Sequence, residues 1–324
     1  MDLVIINNGL AGGGTERQST SFANYLSKKG FKIKIVASHK SHHFFDLHHD
    51  IKFIEPGFNR DAYSLIVYTI KLILYLRKEI LNSGSKKVLS YNESLNPYVI
   101  LAGLGTRIDV YVRESMHPKA YHPFVTRFLK WSLYPKAKLV LAQTNYGKEV
   151  LGGKLKTNNI VALPNPVVTH DFKESKSSLK IILAIGRLEE VKGHKFLIEA
   201  FAKIKDLSWK LEIIGDGSLK KELVQLSHDL GVSERIIFHG HLKTFDQHLK
   251  RSEIFVLPSI KEGFPNALVE AMSVPLACIA GDYYEGSIEI IDDGVNGVLF
   301  QPCDVNNLAE KLEFLDDLNT GIEI

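Results

Sequence analysis

Two glutamates eight residues apart, Glu262 and Glu270, flank a segment that could bind both phosphate and hydroxyl groups. The segment follows the apolar run Ile254–Leu257, which predicts a buried strand, and Pro265 suits the first position of a helix. The next N–H groups would lie at the positive end of the helix dipole, where an anion binds well. Each carboxylate can hold its own set of hydroxyls, so the segment is typical of a sugar-nucleotide site. The predicted amide donors are Asn266, Ala267 and Leu268.

A basic pair follows another apolar run, Lys180–Ile185. Arg187 comes directly after the run in Gly186-Arg187-Leu188, and Lys192 follows five residues later, before Gly193. Arginine can grip a phosphate through two N–H donors, while lysine supplies a point charge. The spacing predicts a diphosphate clamp at the end of a strand. The alternative interpretation is two solvated basic side chains.

A glycine-rich turn follows the first predicted strand, Leu3–Ile6, and contains Gly13 and Gly14. Strand, glycine turn and helix together place backbone amides where a phosphate can approach closely. A dinucleotide-binding domain would share this plan, but the glycine spacing is not G-x-G-x-x-G. The second predicted strand, Lys32–Val36, also ends without the acidic residue that binds a ribose. NAD binding is therefore disfavoured.

Length and composition indicate an ordinary globular protein. The chain of 324 residues is long enough for two α/β domains, each with its own core. Cys278 and Cys303 form no disulfide framework or metal pattern, which favours a reducing compartment. The longest apolar stretch, Leu65–Leu76, is interrupted by Lys71 and falls short of the ~20 residues that span a bilayer. We expect a cytoplasmic protein, either soluble or peripheral on the inner membrane face.

The charge is divided unevenly along the chain. Residues 1–175 contain 24 basic and 13 acidic residues, a net charge of +11, whereas residues 176–324 contain 16 and 24, a net charge of −8. Two domains with different partners are therefore expected. The basic half suits an anionic membrane surface or a lipid-diphosphate acceptor. Nucleic acid is disfavoured because no recognised binding motif accompanies the charge.

Three segments in order resemble the group 1, family-4 retaining glycosyltransferases, including bacterial enzymes of polysaccharide and lipid-linked oligosaccharide synthesis. Gly13-Gly-Thr-Glu-Arg17 resembles their Gly-Gly-x-Glu-Arg start, Gly186–Lys192 their donor-phosphate pair, and Glu262–Glu270 their Glu-x7-Glu signature. The resemblance covers nearly the whole chain. It implies the GT-B fold, an α/β architecture of two facing Rossmann-like domains with parallel sheets and a cleft between them. The expected boundaries are 1–166 for the acceptor domain, 167–179 for a linker and 180–324 for the nucleotide-sugar domain.

The resemblance also implies roles for individual residues. Arg187, Lys192 and Glu262 would be catalytic, the first two stabilising the departing diphosphate and Glu262 holding a sugar hydroxyl. Glu270 would hold the ribose, and two backbone turns would line the nucleobase pocket. The strand end at Arg113-Glu114 departs from the family, where many members have a His and one subset has Ser-Glu-Arg. The full set of expected substrate-binding residues is Gly13, Gly14, Glu16, Arg113, Glu114, Asn165, Gly215, His241, Leu242, Gly263, Phe264, Pro265, Asn266, Ala267, Leu268 and Glu270.

The implied reaction transfers a hexosyl or N-acetylhexosaminyl unit from a nucleotide diphosphate sugar, with UDP-sugar expected, to a glycan or polyprenyl-diphosphate-linked acceptor. No cofactor and no metal are expected. Retention of configuration is ascribed in this family to front-face attack; a double displacement with Glu262 as nucleophile is the alternative. Other open interpretations are a GT-B sugar-nucleotide epimerase or phosphorylase, and a non-catalytic partner subunit.

Three further segments allow more than one interpretation. Five histidines between His39 and His49 are interpreted as a polar loop near the acceptor rather than a metal site. A predicted helix over Ala62–Lys78, with Leu65, Leu72 and Leu76 inward, is interpreted as a core helix. The aromatic and basic segment Tyr121–Tyr134 fits a membrane-interface helix and a packed helix equally well.

Overall fold

The computed structural model divides the chain into two compact units, Met1–Pro166 and Val167–Ile324. It describes residues 1–115, 123–155, 157–167, 180–283 and 286–321. Of the predicted linker, 167–179, only residue 167 lies within the described residues. Each unit is an α/β domain on one parallel sheet, as expected for Rossmann-like domains.

The first unit alternates strands with helices. Its described strands are β1 (Leu3–Asn7), β2 (Ile33–Ala37), β3 (Lys52–Ile54), β4 (Lys87–Tyr91), β5 (Asp109–Arg113), β6 (Leu139–Ala142) and β7 (Ile160–Ala162). Its described helices are α1 (Gly14–Lys28), α2 (Leu65–Leu81), α3 (Asn96–Gly103), α4 (Phe124–Leu133) and α5 (Asn145–Leu155). The strand order is β3-β2-β1-β4-β5-β6-β7, which reverses direction between β1 and β4.

The second unit follows the same plan with six strands in its sheet. The strands are β8 (Ile181–Ile185), β9 (Lys210–Ile214), β10 (Ile236–Gly240), β11 (Ile254–Leu257), β12 (Ala277–Gly281) and β13 (Val298–Phe300). The described helices are α6 (His194–Phe201), α7 (Lys220–Asp229), α8 (Asp246–Arg251), α9 (Asn266–Ala271) and α10 (Val305–Gly321). The order is β10-β9-β8-β11-β12-β13, with the reversal between β8 and β11.

Both sheets are covered on two faces, which explains their continuous Val, Ile and Leu runs. Successive side chains of a strand point to opposite faces, so Val4 and Ile6 enter one apolar cluster and Ile5 enters the other. In the second unit Ile182 and Leu183 divide in the same way. Ligand sites of such open sheets lie at the carboxyl ends of the strands, beside the point where the order reverses.

Helix α2 differs from its sequence-based prediction. It begins at Leu65 and ends at Leu81, and Tyr68, Leu72, Leu76 and Ile80 form its buried stripe. Leu65, which was expected to face inward, is 68% exposed. It lies in the first turn, three residues before Tyr68, where the buried stripe begins.

Glycines allow the loops at the carboxyl ends of β8, β9 and β11 to touch through their backbones. A Cβ on Gly215 would lie 1.8 Å from the carbonyl oxygen of Gly186, and one on Gly193 would lie 2.0 Å from that of Pro258. Both glycines have positive φ values, +146° and +66°. No other residue type fits without moving the backbone, so these two contacts fix the loops that carry the predicted catalytic residues.

We expect Gly215→Ala to destabilise the protein by about 3 kcal/mol or more, because the new methyl group would collide with the rigid Gly186 carbonyl. Gly231→Ala is the matched control, since Gly231 also has positive φ, +69°, but no atom lies within 4 Å of the position that a Cβ would take there. That control should cost only about 1 kcal/mol. Thermal or urea unfolding measures both, and equal losses would show that the backbone contact is unimportant.

Candidate functional site

The second unit brings two of the three predicted catalytic side chains together. Lys192 follows β8 and Glu262 follows β11, and these strands are neighbours in the sheet. The Lys192 ammonium forms an ion pair with Oε1 of Glu262. The fully buried Ser259 donates its hydroxyl to the same oxygen at 2.7 Å. Both members of the pair are mostly shielded from solvent, which strengthens their attraction.

The third predicted catalytic residue, Arg187, is exposed at the end of β8. Among the described residues its guanidinium forms no ion pair. The Arg187 backbone lies beside Gly215, so the β9 turn supports the base of this side chain. Arg187 and Lys192 both follow β8, so an anion at this strand end could meet two cationic side chains, but Glu262 must first release Lys192.

Helix α9 corrects the predicted anion site. Pro265 precedes the helix rather than occupying its first position, and the helix contains only six residues. The Asn266 amide donates to the Phe264 carbonyl and the Leu268 amide to the Pro265 carbonyl, both at 3.0 Å. Two of the three expected donors are therefore already used by the preceding turn. Gly263 lies in this turn, Phe264 and Pro265 are buried, Ala267 is half-buried, and Glu270 is 7% exposed on the inner side of the helix.

The turns after β9 and β10, which are predicted to line a nucleobase pocket, are joined by a backbone hydrogen bond and lie near a partly buried polar cluster. The Gly215 amide donates to the Gly240 carbonyl at 2.8 Å, which links the ends of β9 and β10. Below them the 4%-exposed Glu212 carboxylate contacts His239 at 2.9 Å, His248 at 2.7 Å and the Arg251 guanidinium at 2.6 Å. Beyond the turn His241 is exposed, while Leu242 packs against an apolar cluster. The Glu212 cluster therefore braces the two turns from within.

The Glu212 cluster and a second group, His48, His49 and Asp50, each bring three side chains close enough to hold a metal ion. In the first, Arg251 contacts both carboxylate oxygens of Glu212, and its positive charge would oppose a cation. In the second, His48 already contacts the Ser27 hydroxyl at 3.0 Å, and the other two side chains are exposed. Neither geometry favours an ion over the contacts present.

A histidine that was not singled out in the sequence lies directly behind the clamp. His194 begins α6, is 3% exposed, and neither ring nitrogen has a hydrogen-bond partner among the described residues. Its ring and the Lys192 side chain both pack over Gly186. Burial, together with the Lys192 charge, lowers the pKa of His194 to about 3, so the imidazole is neutral.

In the first unit the glycine turn is partly occupied by a side chain. Gly14 begins α1, and a Cβ on Gly13 would lie 2.2 Å from a carboxylate oxygen of Glu16. Burial raises the pKa of the Glu16 carboxyl despite a hydrogen bond from its own backbone. A phosphate at this turn would have to displace the carboxylate or find it protonated. Phosphate binding by Gly13 and Gly14 stays a prediction.

Arg113, Glu114 and Asn165 lie inside the first unit rather than on its surface. Arg113 donates to the Leu163 carbonyl at 2.9 Å and to the Asn165 side chain, which connects β5 to the segment before Pro166. Glu114 is 4% exposed and accepts hydrogen bonds from Lys130 and Tyr134. These contacts are structural, so substrate contact by the three residues stays a prediction. The sequence did not indicate Lys130 as the partner, since sixteen positions separate it from Glu114.

The comparisons with known proteins agree with the geometry. Residues 168–319 match the family model described as "Glycosyl transferases group 1". The chain is 29% identical over 97% of its length, and 89% of the relative, to the Campylobacter jejuni "GalNAc-alpha-(1->4)-GalNAc-alpha-(1->3)-diNAcBac-PP-undecaprenol alpha-1,4-N-acetyl-D-galactosaminyltransferase". A second relative from that organism, "N-acetylgalactosamine-N,N'-diacetylbacillosaminyl-diphospho-undecaprenol 4-alpha-N-acetylgalactosaminyltransferase", is 26% identical over 94% of this chain and 87% of its own.

A solved structure shows the same fold. The Anabaena protein HepE in complex with UDP-glucose superposes with a TM-score of 0.78 at 18% identity, covering 99% of this chain and 91% of HepE. The predicted GT-B fold and the predicted family resemblance are both confirmed. No helix among the described residues combines the length and apolar content that a bilayer-spanning segment requires.

We expect Glu114→Ala to lower the free energy of unfolding by about 3–5 kcal/mol, because it leaves the 2%-exposed Lys130 without its counter-ion. Asp109→Ala removes an exposed partner of Lys138 at 3.7 Å and should cost less than about 1 kcal/mol. Chemical denaturation distinguishes them. If Glu114→Ala leaves stability intact and weakens only substrate binding, the predicted substrate contact is correct and the structural role is wrong.

The neutral His194 should make the protein sensitive to acid. Between the unfolded pKa of about 6.5 and the folded pKa of about 3, only the unfolded chain binds a proton at this imidazole. Stability therefore falls as the pH falls through this window, by up to ~1.4 kcal/mol per pH unit. His194→Phe should remove this part of the pH dependence without loss of stability at neutral pH.

Unfolding curves for both proteins between about pH 5 and about pH 7 test this expectation. His49→Phe is the control, because that side chain is 82% exposed. Parallel pH profiles for the protein with and without His194 would show that the imidazole has the same pKa in the folded and the unfolded chain.

Proposed function

We propose that the chain, whose residues 168–319 match the group 1 glycosyltransferases, transfers a hexosyl or N-acetylhexosaminyl unit from a UDP-sugar to a lipid-linked glycan. The observation that carries the proposal is the meeting of Lys192 and Glu262, with Arg187 following the same strand, β8, as Lys192. The two cationic side chains can bind the diphosphate of a sugar nucleotide, and the Glu262 carboxylate can bind a hydroxyl of its sugar. The coarser statement, that the protein is a glycosyltransferase, rests on the family match and the curated relatives.

The chemical demand of the transfer is the negative charge that develops on the departing diphosphate. Arg187 and Lys192 are the groups proposed to stabilise it as the bond from the anomeric carbon to the phosphate oxygen breaks. For this, Lys192 must exchange Glu262 for a phosphate oxygen. The released Glu262 carboxylate can then accept a hydrogen bond from a hydroxyl of the donor sugar, still oriented by Ser259.

Retention follows if the acceptor hydroxyl attacks from the face of the leaving group and gives its proton to the departing phosphate. We favour this route over a covalent intermediate on Glu262. After Lys192 has moved to the phosphate, Ser259 still donates its hydroxyl to Oε1 of Glu262, which lowers the nucleophilicity of that oxygen. No metal is needed in this scheme, because the two cationic side chains neutralise the leaving charge.

The choice of uridine as the nucleobase rests on the solved structure of HepE with bound UDP-glucose. Glu270 is proposed to hold the ribose hydroxyls. The choice of acceptor rests on the two Campylobacter relatives, whose names contain a diphosphate-linked undecaprenol. The net charge of +11 over residues 1–175 suits such an acceptor at an anionic membrane surface. Peripheral association with the inner face of the cytoplasmic membrane is part of the proposal.

Arg187→Ala should weaken the binding of a UDP-sugar by about 10- to 100-fold, because a charge-assisted contact with the diphosphate is lost. Lys195→Ala is the matched control, because it also removes a cation near this strand end. The Lys195 side chain is 62% exposed and lies near Glu199. Calorimetric titration with UDP, GDP and their sugars measures the effect. Equal binding by both variants would contradict the clamp.

The same titrations with 2′-deoxy-UDP test the ribose assignment. The unaltered protein should prefer UDP, and Glu270→Ala should bind the two nucleotides equally. If no nucleotide binds the unaltered protein, the proposed transfer is wrong and the partner-subunit interpretation replaces it. If nucleotides bind and turn over without any glycan acceptor, an epimerase is the better description.

A further inference from the structure

Helix α2 exposes an apolar face that no described residue covers. Tyr68, Leu72, Leu76 and Ile80 turn toward the sheet, whereas Ile66, Ile70 and Leu74 recur at the same four-residue spacing on the solvent side. Their exposed fractions are 73%, 53% and 61%. The face is extended by other exposed side chains at both ends of the helix, namely Val67 and Leu81. We call these five residues, Ile66, Val67, Ile70, Leu74 and Leu81, the α2 face.

An amphipathic helix on a soluble domain normally turns polar residues to water. Helix α2 is apolar on both sides, so the core explains only one of its two stripes. Scattered exposed leucines are common, but three exposed apolar side chains in one row over more than two turns of a helix indicate an interaction surface. The sequence-based interpretation of α2 as a core helix is therefore incomplete.

Helix α4 adds a second exposed apolar group in the same layer. Phe124, Val125 and Phe128 are 72%, 64% and 61% exposed. Both α2 and α4 pack against α3, and the buried sides of all three helices enter one apolar cluster. Their outer sides therefore belong to the same surface of the first unit. The sequence left open whether the segment 121–134 packs within the domain or lies at a membrane interface. The exposure of these three residues favours the membrane interface.

The charges around this surface are predominantly basic. Lys71 and Lys78 are exposed beside the α2 face, and the Lys71 ammonium lies 4.5 Å from the centre of the Tyr63 ring. Arg127 lies beside Phe124 on α4, which contains no acidic residue. The single acidic residue of α2, Glu79, points away and pairs with the buried Lys34 at 2.7 Å. Long basic side chains can lay their stems on apolar surface and extend their charge to an anionic layer.

We propose that the α2 face, together with Phe124, Val125 and Phe128, docks the first unit on an anionic lipid surface. The apolar rows would enter the boundary between headgroups and acyl chains, and Lys71, Lys78 and Arg127 would meet lipid phosphates. A second copy of the chain is the less favourable occupant, because a symmetric contact would place two basic surfaces against each other. The inference specifies the membrane contact of the proposed function, but it does not depend on which sugar is transferred.

Vesicle co-sedimentation tests the inference with phosphatidylglycerol–phosphatidylethanolamine vesicles and with phosphatidylcholine vesicles. The unaltered protein should bind the anionic vesicles and lose most of this binding in high salt. Ile70→Glu combined with Leu74→Glu should reduce binding by about tenfold or more. Ile70→Gln combined with Leu74→Gln separates the loss of apolar contact from the added negative charge and should also reduce binding.

Leu207→Glu combined with Val295→Glu is the matched control, since both residues are similarly exposed, at 73% and 78%, but lie in the second unit. That variant should bind vesicles like the unaltered protein. Nucleotide titration of every variant shows that the fold is retained, and it separates failure of this inference from failure of the proposed transfer. Equal vesicle binding by the α2 and control variants would overturn the inference. So would a dimer in light scattering that Ile70→Glu combined with Leu74→Glu converts to a monomer.

Discussion

The second unit depends on close backbone contact between the loops at the carboxyl ends of neighbouring strands. Because Gly215 touches the Gly186 carbonyl and Gly193 touches that of Pro258, these loops cannot shift independently. Lys192 and Glu262 lie in these loops, so their side chains start from fixed positions and form a shielded ion pair. A clamp on mobile loops would lose conformational entropy whenever it closed on a ligand. Here most of that conformational entropy is already lost when the parallel sheet folds.

What the sequence predicts well is what the backbone determines locally. Continuous apolar runs produce strands covered on both faces, and parallel strands align their carboxyl ends, so Lys192 and Glu262 meet although seventy positions separate them. The start of α9 was predicted less well. Pro265 satisfies the rule for a first helical position, but the turn before it uses the amides of Asn266 and Leu268 in its own hydrogen bonds.

Side-chain partners and exposed faces were beyond prediction because they depend on which elements pack together. Glu114 follows a strand end in the sequence, and only the packing of α4 beside it supplies Lys130 and makes the carboxylate structural. In α2 both sides are apolar, so periodicity indicates a helix but does not say which side is inward. His194 gave no signal, since a histidine after Lys-Gly can face water or the core.

The ion pair between Lys192 and Glu262 also has a consequence for selectivity under the proposed function. A free phosphate can replace Glu262 as a partner of Lys192, but it leaves a shielded carboxylate without its cation. A sugar diphosphate compensates both groups, since its phosphate meets the lysine and its sugar hydroxyl meets the carboxylate. Leaving a buried charge unpaired costs several kcal/mol, so a ligand that lacks either part is penalised even where its own contacts are good. Under the proposed function, this internal pairing would favour a complete donor over its hydrolysis products.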